Sequence, residues 1–148
     1  LKNTKISFRR RELKTTMVAR PKGIEVFRGK GKRHYIIYIN DFPSAKVSSD
    51  SVSFNAQVGV IGHELAHIAD YEQISSLKIL YVGISYFNKK LKRKFERATD
   101  LRTINHGLVW QCYDFALYVH NSKNAPAEYI TYKKKFYMSP KEIKEKSN

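Results

Sequence analysis

Two histidines and a glutamate are the residues of this chain best spaced to do chemistry. Residues 62–67 read Gly62-His63-Glu64-Leu65-Ala66-His67, an HExxH motif with Glu64 between two histidines four positions apart. On a helix that spacing sets both imidazoles on one face, about 6 Å apart along the axis and within reach of one metal ion. The intervening glutamate points to the side of that face, where it can hold a water at the metal. Such a motif arises by chance roughly once in a hundred sequences of this composition, so chance is a weak rival.

A catalytic zinc needs three protein ligands and one open position. Asp70 and Gln73 stand where a longer HExxHxxGxxH motif would have its glycine and last histidine, so the third ligand lies elsewhere. Glu96 and Asp100, in Phe95-Glu96-Arg97-Ala98-Thr99-Asp100, begin 29 residues after His67 and share a helical face with Thr103. A carboxylate ligand followed one turn later by a second carboxylate, able to accept a hydrogen bond from a ligating imidazole, is what a metal's surroundings require. His106, before Gly107 at the expected end of that helix, is the runner-up ligand and otherwise a helix cap. Asp70, one turn after His67, reads either as a supporting carboxylate or as a solvated helix-end charge.

The elements that must position these residues are readable from periodicity. On a helical wheel Val58, Ile61, Leu65 and Ile68 fall opposite His63 and His67, with Gly59, Gly62, Ala66 and Ala69 as a flanking small-residue stripe. The spacing predicts a helix buried on its back, another element packed close, and the histidines facing a cleft. Upstream, residues 14–20 and 24–28 read as short strands around the turn Pro21-Lys22-Gly23, and residues 35–40 as the best strand of all. After Pro43 and a serine-rich loop, helical patterns run over about 56–72, 76–86, 89–105, 108–120 and 126–136. Ser139-Pro140-Lys141-Glu142 opens a last short helix as a capping box. A small sheet followed by helices is an α+β arrangement. With no repeat or linker, residues 1–148 read as a single domain.

HExxH followed by a helix bearing ExxxD resembles the gluzincin zinc metallopeptidases over about residues 35–105. The pattern is similar in particular to the catalytic cores of the CAAX prenyl-protease and HtpX-type families and to the compact minigluzincins. The resemblance implies a zincin-like fold, with a small N-terminal β-sheet followed by an active-site helix, a glutamate helix and further C-terminal helices. It implies one Zn2+ held by His63, His67 and Glu96, with Glu64 as general base and Asp100 orienting a ligating imidazole. It also implies an edge strand, Tyr35, Ile36, Ile37, Tyr38, Ile39 and Asn40, along which a peptide or protein substrate lies for endopeptidase cleavage. The membrane spans of the prenyl-protease and HtpX families have no counterpart here, so their substrates do not carry over. No residue matches by motif for stabilising an oxyanion; Tyr118, His120, Tyr129 and Tyr132 are the candidates for that donor.

Charge bears on partners rather than on fold. The 148 residues hold 28 Lys and Arg against 13 Asp and Glu, a formal net charge of +15. Residues 1–33 carry +10, 34–75 carry −4, 76–103 carry +6 and 104–148 carry +3, so the HExxH motif sits in the one acidic island. The competing class is a basic module for nucleic acid or an anionic surface, with a structural or vestigial metal site. Arg9-Arg10-Arg11 and the cluster Lys30, Lys32, Arg33 could meet phosphates, though no recognised nucleic-acid motif accompanies them. Residues 79–87, followed by the basic run 89–94, read by default as core, and in a sharper reading as a surface gripping anionic lipid, polyanion or substrate. Cys112 alone excludes internal disulfides and multi-cysteine zinc sites, and reads as a core residue. No transmembrane or targeting segment is visible, so the chain is expected to be soluble, cytoplasmic or exported. A start at Leu1 leaves open a removed upstream segment.

Overall fold

A computed structural model describes residues 1–42 and 47–147 of the chain; residues 43–46, the start of the expected serine-rich loop, and residue 148 lie outside it. Three strands and six helices make an α+β arrangement among the described residues. Strands β1 (Lys5–Arg10), β2 (Met17–Pro21) and β3 (His34–Ile39) form one sheet in the order β1-β3-β2. β1 runs parallel to β3, with Lys5 opposite His34, and β2 runs antiparallel, with Ala19 opposite Ile37.

This order corrects the expected edge strand. Tyr35 to Ile39 lie in the central strand, where both hydrogen-bonding edges are taken, and Tyr35 and Ile37 are fully buried. Asn40 is equally committed: its N–H donates to the Thr16 carbonyl and its side-chain amide to those of Leu13 and Thr15. No substrate backbone can pair there. The strand beside the HExxH helix is β2, which pairs with β3 on one side only.

Residues 24–28 are a 3-10 turn (Gly23–Arg28) rather than a strand. The Lys22 N–H closes the ladder on the His34 carbonyl, and Gly23 at φ +51° then turns the chain away from the sheet. Arg33 holds this turn in place. Its guanidinium is buried and donates to the carbonyls of Val26, Tyr71 and Ile74, and so is not available for phosphate binding.

Helix α1 (Phe54–Gln73) starts at Ser53, whose hydroxyl accepts from the Ala56 N–H. It is followed by α2 (Ser76–Ser85), α3 (Lys89–Thr103), α4 (Val109–Asn121), α5 (Ala127–Phe136) and α6 (Pro140–Lys144), the last opened by the expected Ser139–Glu142 capping box. Ile68 of α1 packs with Ala19, Tyr35 and Ile37 of the sheet. The small-residue stripe lets α4 close in: a Cβ on Gly59 would sit 2.4 Å from the Gln111 carbonyl oxygen, leaving no room for a methyl group. Burial nevertheless runs round α1 rather than along its back. Val60, His63 and Glu64 are buried while Val58 and Ile61 are only half-buried, because α3 and α4 pack against the histidine side.

Residues 79–87 depart furthest from their default reading as core. Only Ile79 and Ser85 of α2 are buried, and Leu77, Leu80, Tyr81, Ile84 and Phe87 are exposed.

Candidate metal centre

Helix α3 buries Glu96, Thr99, Asp100 and Thr103, a face made entirely of polar side chains. Burying carboxylates costs several kcal/mol each unless they are paired, so such a face marks a built polar site. Its partners are the two histidines of α1. Glu96 Oε2 lies 3.3 Å from His63 Nε2 and 3.4 Å from His67 Nε2. The three potential ligand atoms lie within 4.8 Å of one another.

The other nitrogen of each imidazole is held from outside the cluster. His63 Nδ1 is 2.9 Å from Asp100 Oδ1, whose Oδ2 accepts from the Met138 N–H at 2.9 Å. His67 Nδ1 is 3.2 Å from Thr99 Oγ1, and that hydroxyl donates to the Phe95 carbonyl at 3.0 Å. With its own proton committed to Phe95, Thr99 accepts from His67 and leaves Nε2 to face Glu96. Two imidazole nitrogens and one carboxylate oxygen are a donor set that zinc uses in catalytic sites, with each Nδ1 fixed by an outer partner. The residues present therefore fit the metal.

Electrostatics point the same way. Burial opposes a charge on His63, but hydrogen bonds to Asp100 and Glu96 outweigh it and push its pKa up to about 10. Burial likewise opposes the Glu96 carboxylate, yet the two histidines hold it well below the usual carboxylate range. The cluster is arranged to attract a positive charge.

Glu64 stands beside it, buried, with its Oε2 accepting from the Ala19 N–H of β2 at 2.6 Å. That N–H belongs to the strand's free edge. Two spaces open on either side of the cluster. An open cleft of about 700 Å³ is lined by β2, Glu64, His67, Glu96 and the tyrosines Tyr71, Tyr86, Tyr132 and Tyr137. A smaller cavity of about 50 Å³ lies against Val60, His63, Glu64 and Asp100, with Phe115, Val119 and Lys133 beyond. The Lys133 ammonium stands 3.7 Å from the centre of the Tyr137 ring, a cation–π contact.

The remaining sequence candidates separate clearly. His106 is exposed, its Nδ1 2.8 Å from the Arg102 carbonyl, in the capping position. Asp70 pairs with Arg102 of α3, away from the imidazoles. The Tyr118 hydroxyl is bonded to Ser51 and that of Tyr129 to Thr16, while His120 lines the small cavity and Tyr132 the open cleft. The tyrosine that sequence reasoning missed is Tyr137. Its ring centre is 5.5 Å from that of His63, and it lines both spaces. Burial pushes its phenol well above the ordinary value, so it stays a hydrogen-bond donor at neutral pH. Its one sequence signal is position, two residues before the capping serine Ser139. Thr99 was also passed over, although it lies within the ExxxD segment.

No known protein family, curated protein or solved structure matches the chain, and the geometry of the site is the ground for assigning its function.

Proposed function

We propose that the chain is a zinc-dependent metallopeptidase of the gluzincin type, with a zincin-like fold and one Zn2+ held by His63, His67 and Glu96. The observation that carries this reading is the convergence of two Nε2 atoms and a carboxylate oxygen within 4.8 Å, beside Glu64 and an open cleft. A zinc held there supplies Lewis acidity, lowering the pKa of water to about 7 and polarising the scissile carbonyl.

The chain's own residues do the rest. Glu64 accepts the proton of the attacking water and returns it to the leaving amine. The Ala19 N–H holds one of its carboxylate oxygens, so the other is aimed without reorganisation. Asp100 and Thr99 keep both imidazoles turned with Nε2 toward the ligand position. Apart from the Ala19 N–H, which Glu64 occupies, the free edge of β2 offers backbone pairing to an extended peptide, a role that β3 cannot take. Tyr137 donates to the oxygen on which charge develops.

The test is a metal assay joined to a cleavage assay. Purified protein is expected to hold one zinc per chain, and His63→Ala to lose it. Glu64→Gln is expected to keep the zinc while cleavage of a peptide library falls by about 10²–10⁴-fold. A wild-type protein that cleaves no peptide, or a Glu64→Gln variant that cleaves as fast as wild type, overturns the peptidase reading.

A further inference from the structure

Helix α2 is mounted with its apolar stripe outward. Leu77, Tyr81, Ile84 and Phe87 recur at helical spacing and all face solvent, with Ile84 67% and Phe87 90% exposed. Ser85, a residue that ordinarily faces water, is buried, its hydroxyl turned back to the Tyr81 carbonyl at 2.8 Å. A helix resting on a protein in water takes the opposite orientation.

The neighbouring 3-10 turn repeats the pattern. Ile24 is 85% exposed and Phe27 also faces solvent, while Val26 between them is buried. The turn and the start of α2 are bonded together, because Ser76 Oγ donates to the Val26 carbonyl and the Arg33 guanidinium bonds both. The exposed apolar residues therefore belong to two elements locked to one another. Several large apolar side chains exposed on two joined elements mark an interaction site.

Charge selects the occupant. Residues 76–94 carry six basic side chains and no acidic one. Residues 20–33 carry six more, of which Arg33 is buried, and their one acid, Glu25, is already paired with Lys22. Lys78, Lys89, Lys90, Arg28, Lys30 and Lys32 are all exposed. A second copy of the chain would bring the same positive rim against its own. An apolar interior beneath a negatively charged surface meets both features at once, and a bilayer containing anionic lipid is that environment.

We infer that α2 and the Gly23–Arg28 turn dock the protein on anionic membrane surfaces, with Leu77, Ile84 and Phe87 entering the headgroup–acyl boundary. The docking is peripheral, since no helix among the described residues is long and apolar enough to cross a membrane. Leu80, Gly83 and Tyr86 of the same segment line the open cleft, so docking brings the mouth of the cleft to the lipid surface.

The test is co-sedimentation of the full chain with vesicles of phosphatidylcholine alone and of phosphatidylcholine mixed with phosphatidylglycerol. Partitioning is expected to be roughly tenfold or more stronger on the anionic vesicles. Ile84→Glu is expected to abolish most of that gain and Ile84→Leu to preserve it, with both variants melting as the wild type does. A Phe87→Trp variant should shift its emission to the blue on the anionic vesicles only. Equal binding to both vesicle types, or binding to anionic vesicles that Ile84→Glu leaves unchanged, overturns the inference. So does a dimer in solution that Ile84→Glu dissociates, since a second copy would then be the occupant.

Discussion

Thr99 decides which nitrogen of His67 faces the cluster. Its hydroxyl proton goes to the Phe95 carbonyl, so only its lone pair is left for the imidazole. Thr99→Val keeps the shape and removes that acceptor in a position only 2% exposed. Outer partners of ligating histidines typically set metal affinity by 10–100-fold, so zinc affinity should fall by about that factor in Thr99→Val and recover in Thr99→Ser. Competition against a chromophoric chelator measures it, and equal affinity in all three proteins would remove Thr99 from this role. His63, Glu64 and His67 were legible in the sequence because their spacing lies within one helix, where geometry is local. Glu96 and Asp100 share a second helix and were tied to the first by their position 29 residues on and by the gluzincin resemblance. Tyr137 and the Ala19 N–H were not, because each reaches the cluster from an element remote in sequence, through packing that no periodicity records.

At the scale of elements, the segment that carries Tyr137 is fastened to the glutamate helix. Arg97 of α3 bonds the Tyr137 carbonyl and pairs with Glu142 of α6, and Asp100 receives the Met138 N–H. Arg97 and the Ser139 cap hold the Glu142 carboxyl down at about 2, against an ordinary value of 4.5. A carboxyl lowered on folding stabilises above its unfolded pKa and loses that contribution as pH falls through the folded one. The staple should therefore be intact above about pH 4.5 and lost progressively between there and about pH 2. Because the pair is partly exposed, solvent screening limits its worth to about 1 kcal/mol. Glu142→Gln should accordingly lower the melting temperature at pH 7, with the difference shrinking toward pH 2; a constant difference across that range would assign the effect to something other than this charge. The strands show why element order was harder to read than element existence. Tyr35 to Ile39 were legible as a strand, but position in a sheet depends on partners distant along the chain. An unbroken apolar run is itself the mark of a strand covered on both faces, which is where β3 lies. β1 escaped notice because it offers only two apolar residues, Ile6 and Phe8, among Lys5, Arg9 and Arg10, too few to set a pattern.

Over the whole molecule, the excess of positive charge and the acidic island have separate places. The island's Glu64 is buried beside the two histidines, whereas the basic residues of α2, α3 and the 3-10 turn surround an apolar surface. The sequence carried the composition of that surface but not its direction, since an apolar helical stripe reads the same whether it turns inward or out. Cys112 adds a last consequence. It is buried with Ile104, Met138 and Ile143, against the small cavity behind His63. Burial pushes its thiol up to about 12, so almost no thiolate exists at neutral pH to react. An alkylating reagent can reach it only when α4 and α6 part, and the rate of labelling then counts those openings. The chain thus carries one silent chemical clock, and a compound that fills the cavity should slow it without touching His67 or Glu96.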